Sequence, residues 1–253
     1  ELEAALAETQ QARQQAEAAS RTKDHFLATL SHELRTPLTP VLAAAESMLR
    51  RSDLAPLVRE GLEMICRNIE LENHLINDLL DLTRISRGKL ELTREPMDLH
   101  QAVRAAIDIS RSDIAAKQQH LTVELNAKRR TLNADGMRIQ QVLWNLLKNA
   151  AKFTPLGGSI TVRSRNEPGW VIVEVVDTGL GIEASALPNI FVAFQQADTS
   201  ITRRFGGLGL GLAIATATIE AHGGTIVAAS AGAGQGSTFT VKLPLHMPEG
   251  KHE

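Results

Sequence analysis

The sequence predicts an α+β chain in two parts: a helical hairpin that dimerises into a four-helix bundle, then an α/β sandwich with a mixed sheet. Three observations predict this. Apolar residues recur every three or four positions through the first third of the chain, the signature of amphipathic helices. The pattern is interrupted at 86–97, where Gly88 and Pro96 mark a linker. From Asp98 onward, β-branched runs alternate with helical stretches, so helices are expected to cover one face of a sheet.

Bulk properties narrow the class. The chain has 253 residues, 43% hydrophobic and 22% charged, within the range of globular domains. A net charge of −2 and 3% aromatic content, with no Tyr, argue against a nucleic-acid partner. The single cysteine, Cys66, excludes a disulfide framework or a cysteine zinc site and is expected to pack in a core. No apolar run is long enough to span a membrane, so this segment is expected to make no membrane contact. Glu1 opens mid-helix without an initiator Met, which suggests a piece of a longer protein.

Residues 1–24 are rich in Ala, Gln and Glu, and Leu2, Ala5, Thr9, Ala12, Ala16 and Ala19 form a weak heptad seam. A coiled coil is expected there, with a helical linker as the alternative. The second unit, 25–86, begins with a helix whose stripe is Phe26, Leu30, Leu34, Leu38, Val41, Leu42, Ala45 and Leu49. At about 100° per residue, His32 projects roughly 160° from that stripe, toward solvent. Glu33 stands beside it, Thr36 shares the exposed face, and Pro37 is expected to kink the helix. An exposed imidazole next to a carboxylate suits nucleophilic chemistry, although a lone surface His is more often inert. A break at Arg51–Asp53 and Pro56 precedes a second helix, about 55–86, with Val58, Leu62, Ile65, Ile69, Ile76 and Leu80 as its stripe. Leu75, Leu79 and Leu82 widen that face beyond what one partner helix covers, so two hairpins are expected to pair into a homodimer.

After the linker 87–97, the third unit spans 98–247 and a tail follows at 248–253. Asp98 reads as the N-cap of a helix to about Lys117. Strands are expected at 121–125, 131–134, 160–163, 170–176, 225–229 and 237–243. Helices are expected over about 135–152 and from Leu210 to the stop at His222-Gly223-Gly224.

Four patterns in this unit carry chemistry. Asn145, Asn149 and Lys152, at i, i+4 and i+7, share one helix face; amide oxygens suit a hard divalent cation and an ammonium suits phosphate. Asp177-Thr-Gly179-Leu-Gly181 follows an apolar strand, where a carboxylate can accept from a purine amino group while glycine backbone passes close to the ring. Phe191 and Phe194 precede a polar stretch and read as a hydrophobic anchor for it. Gly206 to Gly211 leads into a helix, a ready anion site, and Arg203 and Arg204 just before it can reach phosphate. A basic loop rather than a strand precedes these glycines, which excludes a Rossmann fingerprint. Singly, each pattern has an ordinary structural reading.

Together, and in this order, they resemble the histidine kinases of two-component signalling, over about 20–245. Ser31 to Leu38 is similar to the family's H box, Asn145 to Thr154 to its N box, and Asp177 to Ile182 to its first glycine box. Phe191 to Phe194 is similar to its F box, and Gly206 to Leu212 to its second glycine box. The resemblance implies a dimeric helical phosphoacceptor domain and a Bergerat-type ATP-binding domain, with ATP and Mg²⁺ as cofactors. By it, His32 accepts the γ-phosphoryl group, Glu33 is the base, and Thr36 orients water when phosphate is removed from the regulator. Asn149 would ligate Mg²⁺, with Asn145 and Lys152 at the phosphates and Asp177 on the adenine amino group. Gly179 and Gly181 would lie along the nucleotide, as would Arg203, Arg204, Gly207, Gly209, Leu210 and Gly211. Residues 195–210 would be the ATP lid, and Thr238 a weaker adenine-side candidate. The implied partner is a response-regulator receiver domain, whose Asp takes the phosphoryl group. The segment would be the cytosolic portion of a longer sensor.

Leu208 stands where the family usually has Thr, and Pro40 adds a second proline one turn after Pro37. Relatives of the gyrase and Hsp90 type carry a water-activating Glu four residues before the metal Asn; Asn145 occupies that place and cannot take a proton. The two alternatives are a hydrolytic ATPase module of that type and an inactive dimerisation scaffold. Asn145 argues against the first, and the presence of Asn149, Lys152, Asp177 and Gly209 against the second.

Overall fold

The computed structural model describes residues 36–85, 90–194 and 209–245, apart from the side chains of Glu70, Leu71 and His74. The expectations for the 1–24 coiled coil, His32, Glu33, the lid over 195–208, Arg203, Arg204, Gly207 and the 248–253 tail lie outside those residues. The chain divides into two compact units, with the boundary between Ser86 and Arg87.

The first unit is a helical hairpin. Helix α1 occupies 36–49 of the described residues, and α2 runs Pro56–Ile85. Proline at the first turn of α2 removes a donor that would have no partner there and presets the helical φ. The turn is held by Arg59, whose guanidinium donates to the Leu49 carbonyl at 3.1 Å and to the Arg51 carbonyl at 2.7 Å. Ala45, Cys66, Ile69 and Ile76 are buried, as the packing role read for Cys66 requires. Val58 and Ile65, expected on the same apolar stripe, are 45% and 42% exposed, with Leu57, Val41, Met48 and Met64 also open. A single hairpin leaves that part of the stripe uncovered.

The second unit opens with a difference from the sequence reading. Glu95–Asp98 is not linker but a strand, β1, antiparallel to β3 (Thr131–Ala134). Pro96 is tolerated because this ribbon has only two strands, so one of its sides needs no donor. Helix α3 (Leu99–Ala116) follows, capped by Asp98, whose Oδ1 accepts from the His100 N–H at 2.8 Å. Then come β2 (His120–Leu125), α4 (Gly136–Phe153), β4 (Ser159–Glu167), β5 (Trp170–Asp177), α5 (Gly211–Ala221), β6 (Thr225–Ala229) and β7 (Ser237–Pro244). The main sheet has the order β2-β4-β5-β7-β6; β2 and β4 are parallel and the other neighbours antiparallel, so the sheet is mixed. The hairpin between β4 and β5 turns through Pro168-Gly169, where Gly169 takes φ +78°.

The core lies between the sheet and α3, α4 and α5. Val171, Val173 and Val175 of β5 and Phe239, Val241 and Leu243 of β7 face it, against Leu143, Leu146 and Leu147 of α4 and Ile219 of α5. This alternation fixes which residues of β5 and β7 point toward the helices, and Asp177 and Ser237 continue that face to the strand ends.

Candidate nucleotide site

Helix α4 is the wall of the site. Asp135 caps it, Oδ1 accepting from the Arg138 N–H at 3.1 Å. Its stripe of Ile139, Val142, Leu143, Leu146, Leu147, Ala150 and Ala151 is buried in the core. That leaves Asn145, Asn149 and Lys152 half-buried on another face. The Asn145 side-chain N–H donates to the Gly211 carbonyl at 3.0 Å, joining α4 to the start of α5. A Cβ on Gly211 would stand 2.9 Å from that amide nitrogen, so a larger residue there would displace the Asn145 amide.

Positive charge gathers at the C-terminal end of α4. Burial first, then the charges of Lys148 and Lys117, hold the Lys152 ammonium below the usual lysine range. Lys117 donates to the carbonyls of Ala151 and Lys152 at 2.8 and 2.6 Å, and the Gln119 amide donates to those of Ala151 and Thr154 at 3.0 and 2.7 Å. These donors satisfy carbonyls that the helix end leaves open. Neither Lys117 nor Gln119 was singled out in the sequence; both act from the α3–β2 connection, beyond the reach of spacing within α4.

Asp177 closes β5 and is 6% exposed. One carboxylate oxygen accepts from the Gly179 N–H at 2.8 Å and the other from the Ser237 hydroxyl. Its surroundings admit little bulk: a Cβ on Gly179 would lie 2.6 Å from Asp177 Oδ1, and one on Gly236 would lie 2.0 Å from the Asp177 carbonyl. The loop after Asp177 abuts the end of α4, Leu180 N–H donating to the Phe153 carbonyl at 3.2 Å. A second glycine-rich loop backs it: Gly234 N–H donates to the Leu180 carbonyl and Gly236 N–H to that of Gly179.

The register separates two neighbouring hydroxyls. Thr238 pairs with Val176, one position off Asp177, and therefore sits on the opposite sheet face. Ser237 is directly opposite Asp177 and shares its face. The repeated glycines 232, 234 and 236 were the available signal for this second loop.

The aromatic pair divides its roles. Phe191 packs edge-on to Phe239, centroids 6.5 Å apart, and anchors the segment to the core. Phe194 is 62% exposed with φ +63°, and its N–H donates to the Gly209 carbonyl at 3.3 Å. Gly209, φ +69°, and buried Leu210 lead into α5. Thr36, on α1 in the other unit, is exposed.

The donor set fits a nucleotide held with a magnesium ion. Among the described residues no three His, Cys, Asp or Glu side chains cluster as a metal cage. Mg²⁺ is commonly held by one or two protein oxygens plus substrate phosphates, and the amide oxygens of α4 are suited to that share. Nor, among the described residues, is any helix long and apolar enough to cross a membrane.

Fold and site together define a two-part protein in which a helical hairpin precedes a sandwich of the ATPase class. Residues 134–247 match the family described as histidine kinase-, DNA gyrase B- and HSP90-like ATPase. Residues 22–88 match the His Kinase A (phospho-acceptor) domain. The chain belongs to the sensor histidine kinases. It is 42% identical, over 77% of its length, to the circadian input-output histidine kinase CikA of Synechococcus elongatus, covering 26% of that protein. It is 38% identical, over 80%, to the autoinducer 2 sensor kinase/phosphatase LuxQ of Vibrio cholerae, covering 24% of it. The chain thus spans about a quarter of these relatives. Among solved structures, full-length ShkA in complex with AMPPNP aligns with TM-score 0.70 and 31% identity, over 88% of this chain and 46% of that one. The Acinetobacter baumannii histidine kinase AdeS aligns with TM-score 0.59 and 25% identity, over 85% and 98%.

Proposed function

We propose that the chain binds Mg-ATP in this site, phosphorylates His32, and passes the phosphoryl group to an Asp of a response-regulator receiver domain. Asp177 accepts from the adenine amino group, its carboxylate held in place by Gly179 and Ser237. Gly179 and Gly181 let backbone pass close to the ring. Asn145 and Lys152 face the phosphates with Gly207, Gly209, Leu210, Gly211, Arg203 and Arg204. Asn149 would contribute an oxygen to Mg²⁺, which would neutralise phosphate charge when bound. In the transfer, a ring nitrogen of His32 forms the N–P bond as the bond from Pγ to the ADP oxygen breaks, and Glu33 takes the proton the ring sheds. A neutral imidazole already has a lone pair at pH 7, so positioning and charge neutralisation are what the protein supplies.

The observation that carries this reading is Asn145. It stands where a hydrolytic relative needs a carboxylate, and its amide is engaged with the Gly211 carbonyl. The site lacks a base for water there, which favours an external nucleophile. A second copy of the hairpin covers the exposed apolar residues of α2, giving a homodimer. Thr36, exposed one turn after His32, orients water when the regulator is dephosphorylated; LuxQ carries the name of a kinase/phosphatase. The chain forms the cytosolic signalling part of a longer sensor.

The test is incubation with Mg-ATP labelled on the γ-phosphate. Wild type becomes labelled and His32→Gln does not. Undiminished label on His32→Gln overturns the proposal. Thr36→Ala is expected to keep the label but lose dephosphorylation of the regulator.

A further inference from the structure

His222 was read only as a helix stop. It is 5% exposed, and both ring nitrogens are engaged. Nε2 accepts from the Asp135 backbone N–H at 3.0 Å, so the proton sits on Nδ1, which donates to the Thr218 carbonyl at 2.7 Å. Asp135 is the N-cap of α4, and His222 is the C-cap of α5. The ring therefore bolts the start of one nucleotide-site helix to the end of the other. Their second junction is the Asn145–Gly211 contact, at 3.0 Å. From Asp135 to Asn145 is about 15 Å of helix and from Gly211 to His222 about 16 Å, at 1.5 Å per residue. The two helices thus run antiparallel, joined at both ends of α5 to the first half of α4.

The chain segment entering this unit is fastened to the same end. Thr93 N–H donates to the other Asp135 carboxylate oxygen at 3.1 Å, and the Arg94 guanidinium donates to the Ala221 carbonyl at the end of α5. Thr93, Arg94, Asp135 and His222 form one clip, remote from the phosphate end of the frame.

We propose that His222 is a positioning residue for the nucleotide: by fixing α5 along α4 it sets where Gly211 stands against Asn145, and the clip makes that setting responsive to the segment at 93–94. This rests on the ATP-site reading above. A displaced His222 lets α5 slide, and the glycine backbone and Asn145 no longer meet the phosphates together.

The experiment measures Mg-ATP affinity of the full chain by calorimetry, with folding checked by circular dichroism. His222→Ala is expected to weaken binding about tenfold, a loss in the range of one or two buried hydrogen bonds. His222→Gln, which keeps a donor and an acceptor, should recover most of it. Arg94→Ala, which leaves the imidazole in place, should weaken binding about threefold. In autophosphorylation the KM for ATP should rise more than kcat falls. A merely structural role would lower the melting temperature and leave affinity and KM unchanged in the folded protein; that result overturns the proposal. If His222→Ala does not fold, the wild type decides: the His222 ring nitrogen resonances should shift on adding Mg-ATP, and unmoved resonances overturn the proposal. Absence of Mg-ATP binding by wild type overturns the ATP reading itself, a result distinct from tight binding that His222→Ala leaves intact.

Discussion

In the proposed function, Asp177 is one side chain prepared for one ligand group. Its two oxygens each accept from a fixed neighbour, Gly179 and Ser237, and each keeps a lone pair. Asp177→Asn replaces one acceptor by a donor that would face the adenine amino group. Mg-ATP affinity should fall about tenfold to a hundredfold, as for a charge-assisted hydrogen bond, while the fold persists. Ser237→Ala should cost less, about threefold, because Gly179 still holds the carboxylate. Titration calorimetry checks both, and Asp177→Asn with wild-type affinity would remove Asp177 from the site. Lys152 makes a second expectation. Burial and two like charges disfavour its ammonium in the free protein, and a triphosphate restores it. The ligand prefers the protonated form, so affinity should fall as pH rises toward the lysine range, and earlier than for an ordinary lysine. Lys152→Arg should lose that slope below the ordinary lysine range, since a guanidinium stays charged throughout.

The elements differ in how far the sequence reveals them. The caps at Asp98 and Asp135 are local, each bonding an N–H two or three residues on, and the first is read directly from the sequence. Ser237 and β1 are not local: one depends on the β5–β7 register, the other on pairing with a strand over thirty residues away. Spacing within α4 reveals the Asn145, Asn149 and Lys152 face, but not the Lys117 and Gln119 donors that close the helix. Glycine needs are partly legible. Gly181 has φ +67° and would put a Cβ 2.0 Å from the Gly232 carbonyl, so Gly181→Ala should cost about 3 kcal/mol and lower the denaturation midpoint.

Two buried histidines tie the elements of the second unit together and make it acid-sensitive. His222 is held below the usual histidine range, chiefly by burial; the Thr218 carbonyl and Asp135 oppose this and Arg94 adds to it. Burial also lowers His100, with Arg130 and Arg104 adding to it and Asp98 opposing; its Nε2 lies 2.9 Å from Ser164 Oγ. In the unfolded chain both rings protonate near about pH 6.5, whereas in the fold they resist. Stability from these groups is therefore full above that range. It declines as pH falls through it, because the unfolded state takes up protons the folded state refuses, until the folded rings protonate too. Denaturant unfolding should give a lower free energy at pH 5 than at pH 7.5, and His222→Gln should reduce that difference.

At the scale of the whole molecule, the apolar residues left open on the hairpin decide the assembly. Val58, Met64 and Ile65 lie on α2 with between 42% and 54% of their surface exposed, in a helix whose buried positions include Cys66, Ile69 and Ile76. Removing such side chains from water contributes about 1 to 2 kcal/mol each when burial is completed, on both copies, and this favours association against its entropic cost. The proposed partner is a second copy, since a twofold axis presents the same stripe to itself. The full chain should therefore run at twice its 27.4 kDa mass by light scattering at micromolar concentration. Ile65→Asp places a charge in that interface and should shift the chain to monomer. Mg-ATP affinity should be unchanged in the variant, because the residues proposed to bind the nucleotide lie in the other unit. A wild-type chain that stays monomeric at tens of micromolar would remove the bundle. An Ile65→Asp chain that stays dimeric would move the interface off this face of α2.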